Sequence, residues 1–180
     1  MTRLTVHPDT SPGPRLDSTD FTVIRAALTE IGVGFERWSA ARPLAGGATA
    51  EDVLDAYAGE IERLKTEGGY VTVDVVRMLP DHPQRDAIRA KFLAEHTHRD
   101  DEVRFFVEGA GLFCLHVGGE VHQLLAEAGD LVRVPAGARH WFDTGPAPFF
   151  TAIRLFIDPA GWEARYTGDD IATRFPTYEP

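Results

Sequence analysis

Two histidines and a glutamate lie close together in the stretch Glu95 to Gly111, and imidazole and carboxylate groups are common ligands of transition metals. His96 and His98 are two residues apart, the spacing that places both side chains on one face of a β-strand. Glu102 and Arg104 follow with the same parity. A strand or a hairpin could therefore direct all four side chains into a common interior and form a site for a divalent ion. The alternative interpretation is a polar surface strand in which the histidines have no shared role.

A second stretch, Gly129 to His140, supplies one more candidate ligand. It presents a short apolar strand, a turn with proline and glycine, and then His140. The two stretches read His-x-His-x3-Glu-x6-Gly and Gly-x5-Pro-x-Gly-x2-His, with 19 residues between Gly109 and Gly129. This pair resembles the two signature motifs of the cupin superfamily, whose members are small antiparallel β-barrels with a metal in the mouth.

The residues around the candidate ligands narrow the resemblance to one family. The run Glu102-Val103-Arg104-Phe105, the upstream run Val76 to Pro83 and the helix-like approach to the first histidine are similar to those of acireductone dioxygenases. Two positions depart from the cupin motifs, because Ala90 stands where the first motif usually begins with glycine and Thr144 where the second usually ends with asparagine. Neither is a candidate ligand.

The resemblance implies a fold, a cofactor and a reaction. The fold is mainly β with flanking helices (α+β): a cupin-type antiparallel β-barrel, or jelly roll, with N-terminal helices packed outside. The cofactor is one Fe²⁺ or Ni²⁺ per chain, with Co²⁺ or Mn²⁺ as substitutes. Its candidate ligands are His96, His98, Glu102 and His140. The reaction is the cleavage of acireductone by O₂ in methionine salvage, where the iron form gives 4-methylthio-2-oxobutanoate and formate, and the nickel form gives 3-methylthiopropionate, formate and carbon monoxide.

Two arginines in apolar strands are candidates for binding an anionic substrate. Arg104 lies in a run of apolar residues, and Arg154 is the only charged residue from Phe149 to Ile157. A buried arginine is costly unless it is paired. One interpretation is therefore a structural ion pair with a carboxylate such as Glu102 or Asp143. The other is that one or both arginines face the barrel mouth and neutralise the substrate, which their forked geometry suits and the resemblance favours.

Other side chains are weaker candidates. The aromatic residues that could line the pocket and shield a methylthio tail are Phe92, Phe105, Phe106, Phe142 and Trp162. His116 and His122 face each other across a predicted hairpin and could form a second metal pair, although a surface or structural role is favoured. Cys114 lies between apolar residues and lacks the basic neighbours that a reactive thiolate needs.

Hydrophobic periodicity predicts three helices before the first motif. One runs from Ser18 to Gly32, one opens with a capping box at Thr49-Ala50-Glu51-Asp52 and continues to Gly68-Gly69, and a short one begins at Asp81 and ends before Phe92. The alternating residues from Val71 to Leu79 predict a strand. After the motif, glycine-containing turns at short intervals predict the strands of a barrel or a sandwich.

Length and composition predict a single domain over residues 1–180. The resemblance implies that residues 1–90 pack on a metal-binding barrel core at 91–157, and the aromatic residues of the tail at 158–180 predict that it folds back on the domain. The 180 residues are 43% hydrophobic and 26% charged, which is ordinary for a globular protein. The net charge of −10 argues against nucleic acid or an anionic membrane as a partner. With one cysteine and no signal peptide, we expect a cytoplasmic protein. The resemblance implies a monomer that binds a small anionic substrate and O₂.

Two other classes of function stay open from the residues alone. Another metal cupin, such as a sugar-phosphate isomerase or a different dioxygenase, would share the ligands but lack the Glu-Val-Arg-Phe run and the helical N-terminal half. A non-catalytic cupin would bind a metal or a small effector without turnover. Oxygen uptake with acireductone separates these alternatives.

Overall fold

The computed structural model describes residues 1–39, 48–158, 160 and 163–179. Within them, the strands are β1 (Arg3–Pro8), β2 (Leu16–Ser18), β3 (Gly34–Arg37), β4 (Thr72–Met78), β5 (His96–Thr97), β6 (Glu102–Val117), β7 (Glu120–Glu127), β8 (Asp130–Val134), β9 (Arg139–Asp143), β10 (Phe150–Phe156) and β11 (Arg165–Tyr166). The helices are α1 (Phe21–Glu30), α2 (Ala50–Ala56), α3 (Ala58–Gly68) and α4 (Arg85–Leu93), followed by a 3₁₀ helix (Ile171–Arg174). This mainly β architecture with flanking helices confirms the predicted fold class.

The long strand β6 organises the fold because it belongs to two sheets. Its first half pairs with β8 and β10, and its second half, from Ala110, pairs with β7 and β9. The first sheet has the order β11-β5-β9-β6-β7-β1-β2, and the second joins β4, β10, β6, β8 and β3, with antiparallel pairing throughout. Gly109 lies at the crossover with φ +70°, and a Cβ there would be 1.8 Å from the carbonyl oxygen of Phe149. Only glycine fits this position.

The main hydrophobic core contains side chains from both sheets. Phe113, Leu124 and Phe142 come from the first sheet, and Phe106 and Phe150 come from the second. Helix α1 adds two buried side chains to the same cluster. The alternation of side chains along each strand produces this arrangement, because every second residue points to the same face.

Helices α2 and α3 cover the other face of the second sheet, where Ile61 and Leu64 pack in one cluster with Val103 and Leu155. The capping box predicted at Thr49 is confirmed, since the Thr49 hydroxyl accepts from the Asp52 amide and the Asp52 carboxylate accepts from the Thr49 amide. The prediction of one continuous helix was wrong. The backbone leaves helical geometry at the buried Tyr57 (φ −115°, ψ 20°), which ends α2 and precedes α3.

Helix α4 and the tail pack on different parts of the first sheet. The helix was predicted to end before Phe92 and instead continues through Leu93. Its Ile88 and Phe92, one turn apart, both pack against the main core, which favours the extra turn. In the tail, Ile171 and Phe175 pack with Trp141 and Cys114 of the first sheet.

Strands from both ends of the chain enter the two sheets. Those of residues 1–90 and β11 of the tail are hydrogen-bonded, directly or through each other, to strands of residues 91–157. The single domain over 1–180 and its subdivision stay predictions. In the described ranges, no helix has the length and apolar character needed to cross a membrane.

Candidate metal centre

Three histidine side chains meet where β5 lies beside β9. His96 of β5 is directly opposite His140 of β9, and His98 follows β5. One ring nitrogen of each histidine lies within 4.8 Å of the others. Glu102, the first residue of β6, reaches the same point, with its Oε2 3.4 Å from Nε2 of both His98 and His140. The structure therefore brings all four predicted ligands together.

Each of the three imidazoles is held in a fixed orientation by a backbone carbonyl. Nδ1 of His96 is 2.7 Å from the Ala94 oxygen, and Nδ1 of His140 is 2.9 Å from the Ala138 oxygen. Nδ1 of His98 is 3.3 Å from the oxygen of Glu163. A carbonyl can only accept a hydrogen bond, so Nδ1 donates in each case. A neutral ring whose hydrogen is on Nδ1 presents a lone pair at Nε2, as in metal-binding histidines with such a carbonyl partner.

The centre has the donors of a metal site, and one of these donors has no hydrogen-bond partner among the described residues. In the described part of the chain, Nε2 of His140 is buried without a hydrogen-bond partner. With the hydrogen on Nδ1, this lone pair faces the carboxylate of Glu102 at 3.4 Å with no proton between the two acceptors. A divalent cation bound by both acceptors would remove the repulsion between their lone pairs. Three imidazoles and one carboxylate therefore fit a first-row transition ion.

The charge states at neutral pH suit metal binding. Burial, together with the nearby His140 and His98, lowers the pKa of His96 to about 4, so its ring is neutral. Burial acts to raise the pKa of Glu102, but the adjacent Arg104 guanidinium and the neighbouring His140 and His98 together outweigh it and hold that pKa well below its usual range. Glu102 is consequently an anion although it is only 2% exposed. Neither group has to lose a proton before it binds a metal.

The four residues lie in a cavity of about 620 Å³, here called the site cavity. Its apolar wall is formed by Val76, Met78, Ile88, Phe92, Phe113, Phe142 and Phe156. Three basic side chains also line it: Lys91, Arg104 and Arg154. The cavity thus combines a polar end, where an anion could bind the metal, with an apolar wall for a hydrophobic tail.

Both predicted arginines line the site cavity, and both are paired. Arg104 is 7% exposed, donates from Nη2 to Glu102 Oε1 at 2.5 Å, and places its guanidinium 4.5 Å from the centroid of the Phe142 ring. Arg154 donates from Nε and Nη2 to Asp74, at 2.9 and 2.6 Å. The two interpretations offered for these arginines are therefore not exclusive.

The ion-pair partners differ in part from those considered. Glu102 does pair with Arg104, but Asp143 pairs with Arg89 at 2.7 Å. Asp74 was not considered as a partner for Arg154, which it faces directly across β4 and β10. Asp74 is a polar residue within the alternating run from Val71 to Leu79, but that alternation does not identify the residue it faces on another strand.

The aromatic candidates fall into three groups. Phe92 and Phe142 line the site cavity. Phe106 lies in the main core, and Phe105 packs on the opposite side of β6, with ring centroids 5.0 Å from Trp38 and 5.3 Å from Tyr57. Neither lines the cavity, and for Phe105 the reason is that it has the opposite parity to Arg104. Trp162 lies outside the described residues.

Sequence reasoning missed several residues of the cavity. Phe113 shares the wall and stacks on His140, with centroids 5.9 Å apart. Phe113 is an even number of residues from Phe105, which faces away from the cavity, so simple alternation along one strand would place both on the same face. Alternation did not predict the position of Phe113, because β6 passes from one sheet to the other at Gly109, between the two residues. Tyr166 and Glu163 belong to the tail, whose short strand has no periodicity that would predict it.

The other histidines do not form a second metal pair. In the β6–β7 hairpin, His116 faces Val121 and His122 faces Leu115, so the two imidazoles project from opposite faces. His116 instead bonds to Glu95, with Nδ1 2.6 Å from Oε1. Burial raises the pKa of the Cys114 thiol, consistent with its predicted lack of reactivity.

Comparisons with known proteins support one family. The model of the ARD/ARD′ family matches residues 3–164. The chain is 57% identical to the acireductone dioxygenase of Parvibaculum lavamentivorans, over 99% of this chain and 98% of that protein. It is 56% identical to the acireductone dioxygenase of Pseudomonas aeruginosa, over 99% of each.

A solved structure agrees with these sequence relatives. The acireductone dioxygenase from Bacillus anthracis, which has a cadmium ion in its active centre, superposes with a TM-score of 0.82 and 29% identity. The match covers 92% of this chain and 98% of that one. It confirms the predicted cupin fold over nearly the whole length. The motifs, the fold and these matches agree, and the chain belongs to the ARD/ARD′ family of acireductone dioxygenases.

Proposed function

We propose that this protein is a metal-dependent dioxygenase that cleaves acireductone with O₂ in methionine salvage. The main support is that three imidazoles, each hydrogen-bonded to a backbone carbonyl, meet a buried, ionised carboxylate in one cavity. The same cavity is lined by two arginines and by an apolar wall. The family relatives are named for this reaction. A sugar-phosphate isomerase would need a polar wall, whereas most of this wall is apolar.

The metal would be held by His96, His98, Glu102 and His140. Once bound, a divalent ion supplies Lewis-acid polarisation and a template for two oxygens of the substrate. The acceptor of His140 that faces Glu102 without a proton between them supports this assignment. We propose one Fe²⁺ or Ni²⁺ per chain, with Co²⁺ or Mn²⁺ as substitutes, because such a donor set discriminates poorly among first-row ions.

The chain's own residues bind and shield the substrate. Arg104 and Arg154 present guanidinium groups to the cavity, where they would neutralise the enediolate of acireductone. Arg104 also bonds to Glu102 and fixes the orientation of that carboxylate. Phe92 and Phe142 lie on the wall that would take up the methylthio tail and exclude water from the reacting carbons.

We also propose that a single chain forms the working unit and that it acts in the cytoplasm. All four candidate ligands and both arginines come from one chain, so the site needs no residue from a second copy. The substrate of the proposed reaction is a small anion, which agrees with the basic residues in the cavity of an otherwise acidic protein.

Product analysis on separately reloaded protein tests this proposal. Metal-free protein is divided and loaded with Fe²⁺ or Ni²⁺, and acireductone is added in air. We expect 4-methylthio-2-oxobutanoate and formate from the iron form, and 3-methylthiopropionate, formate and carbon monoxide from the nickel form. Absence of turnover in both forms would contradict the function, and identical products from both would contradict the metal-dependent outcome.

A further inference from the structure

Residues 163–167, here called the tail segment, contact two of the candidate metal ligands. The carbonyl oxygen of Glu163 accepts from Nδ1 of His98 at 3.3 Å. Tyr166 pairs with His96 across β11 and β5, and its ring lies edge-on to the imidazole at 5.9 Å. The tail segment therefore sets the positions of groups that orient both imidazoles.

The tail segment needs an anchor beyond its own strand pairing. Strand β11 has two residues, and both Arg165 and Tyr166 are exposed. Thr167, the next residue, donates from its amide to the Glu95 carbonyl at 3.1 Å and from its hydroxyl to Glu95 Oε2 at 2.6 Å. Glu95 thus receives two hydrogen bonds from the end of the tail segment.

Glu95 is a buried carboxylate held in place from the side opposite the metal centre. It is 1% exposed, and its Oε1 lies 2.6 Å from Nδ1 of His116 on β6. Glu95 precedes His96, and adjacent side chains in an extended chain point to opposite faces. It is therefore no metal ligand. A buried carboxylate requires hydrogen-bond partners, and His116 and Thr167 supply one for each oxygen of Glu95.

We propose that Glu95 is a positioning residue of the metal centre: through Thr167 it holds the tail segment against His96 and His98 and so slows the loss of the bound metal. This inference rests on the proposed function, since it requires a metal held by those histidines. Groups that orient metal-binding imidazoles typically change metal affinity by about 10- to 100-fold when they are removed.

Thr167→Val is the primary test because Thr167 is exposed and the substitution is close to isosteric. It removes the hydroxyl that donates to Glu95 and keeps the amide. Thr173→Val is the matched control, since Thr173 is also an exposed tail residue and its hydroxyl donates to the nearby Asp170 carbonyl, at 2.8 Å, and not to Glu95. Glu95→Gln and the double variant Glu95→Gln with Thr167→Val complete a mutant cycle.

Full-length protein loaded with Ni²⁺ is mixed with excess EDTA, and nickel release is followed over time. We expect Thr167→Val to release nickel about 2- to 10-fold faster, as expected for one lost hydrogen bond. Glu95→Gln should release it faster by a similar factor, because it replaces the charged acceptor of the same hydrogen bond. Thr173→Val should match the unmodified protein, and the double variant should release nickel no faster than Glu95→Gln alone.

The contrary outcomes are distinct. Release rates within twofold of the unmodified protein in both Thr167→Val and Glu95→Gln, even with lower melting temperatures, would overturn the positioning role. A double variant whose two effects simply multiply would overturn the route through Thr167. Failure of the unmodified protein to retain nickel would instead contradict the proposed metal centre, and it would be evident before any variant is compared.

Discussion

Arg154→Ala separates substrate binding from structural pairing. The side chain of Arg154 is 17% exposed, lines the site cavity and pairs with Asp74, whose side chain is 47% exposed. Because Asp74 stays half in water when its partner is removed, the pair should contribute only about 0–1 kcal/mol to stability. The melting temperature should therefore fall by at most about 4 °C for a chain of this size.

The kinetic loss should be much larger. A substrate anion that loses a desolvated cationic partner loses about 2–5 kcal/mol of binding. Since each 1.4 kcal/mol is a factor of ten, kcat/KM should fall at least about thirtyfold. Metal content should be unchanged because arginine is not a ligand. Arg154→Lys should recover only part of the loss, since an ammonium group lacks the bidentate geometry of a guanidinium.

Asp74→Asn is the matched variant. It breaks the same ion pair but keeps the guanidinium at the cavity, so kcat/KM should stay within about threefold of the unmodified value. Melting, metal content and oxygen-uptake kinetics are measured on the same preparations of both variants. Equal kinetic losses in Arg154→Ala and Asp74→Asn would refute the substrate role, and so would a destabilised but fully active Arg154→Ala.

Three further predictions concern the centre and its wall. Glu102→Gln should lower metal content and destabilise the protein by about 3–5 kcal/mol, because the buried Arg104 loses its anionic partner; metal analysis and chemical denaturation check this. Gly111→Ala places a Cβ 2.3 Å from Cζ of Phe142, so we expect a cost of about 1–3 kcal/mol in unfolding free energy and a raised KM as the ring shifts. Phe105→Leu should cost about 0.5–3 kcal/mol of stability but leave kcat/KM unchanged, since Phe105 lies outside the cavity; reduced kcat/KM in correctly folded, metal-loaded protein would contradict that placement.

The sequence predicted the features that depend on local spacing. His96 and His98 are two residues apart, and the common parity of Glu102 and Arg104 survives the intervening turn, so these four side chains reach one cavity. Likewise, the capping box at the start of α2 depends on residues only three positions apart. In both cases the interacting groups are close in the chain, and the backbone periodicity fixes their relative directions.

Features that depend on distant pairing were not predictable in the same way. Asp74 meets Arg154 only because β4 and β10 pair in one particular register, and no local pattern fixes that register. The hydrogen bond from His98 to Glu163 depends on a tail that returns to the barrel from 65 residues away. The placement of His116 and His122 was a different kind of error. A two-residue turn at Gly118-Gly119 already sets the pairing of the hairpin and puts the two histidines out of register.

Titration of metal-free protein with Fe²⁺, with oxygen consumption recorded in the presence of acireductone, tests the central claim most directly. If the three histidines and Glu102 hold one catalytic ion per chain, the rate above that of a protein-free control should start near zero. It should then rise linearly and stop rising at one equivalent of metal. Substantial turnover by the metal-free protein, or none at one equivalent of bound iron, would contradict the account.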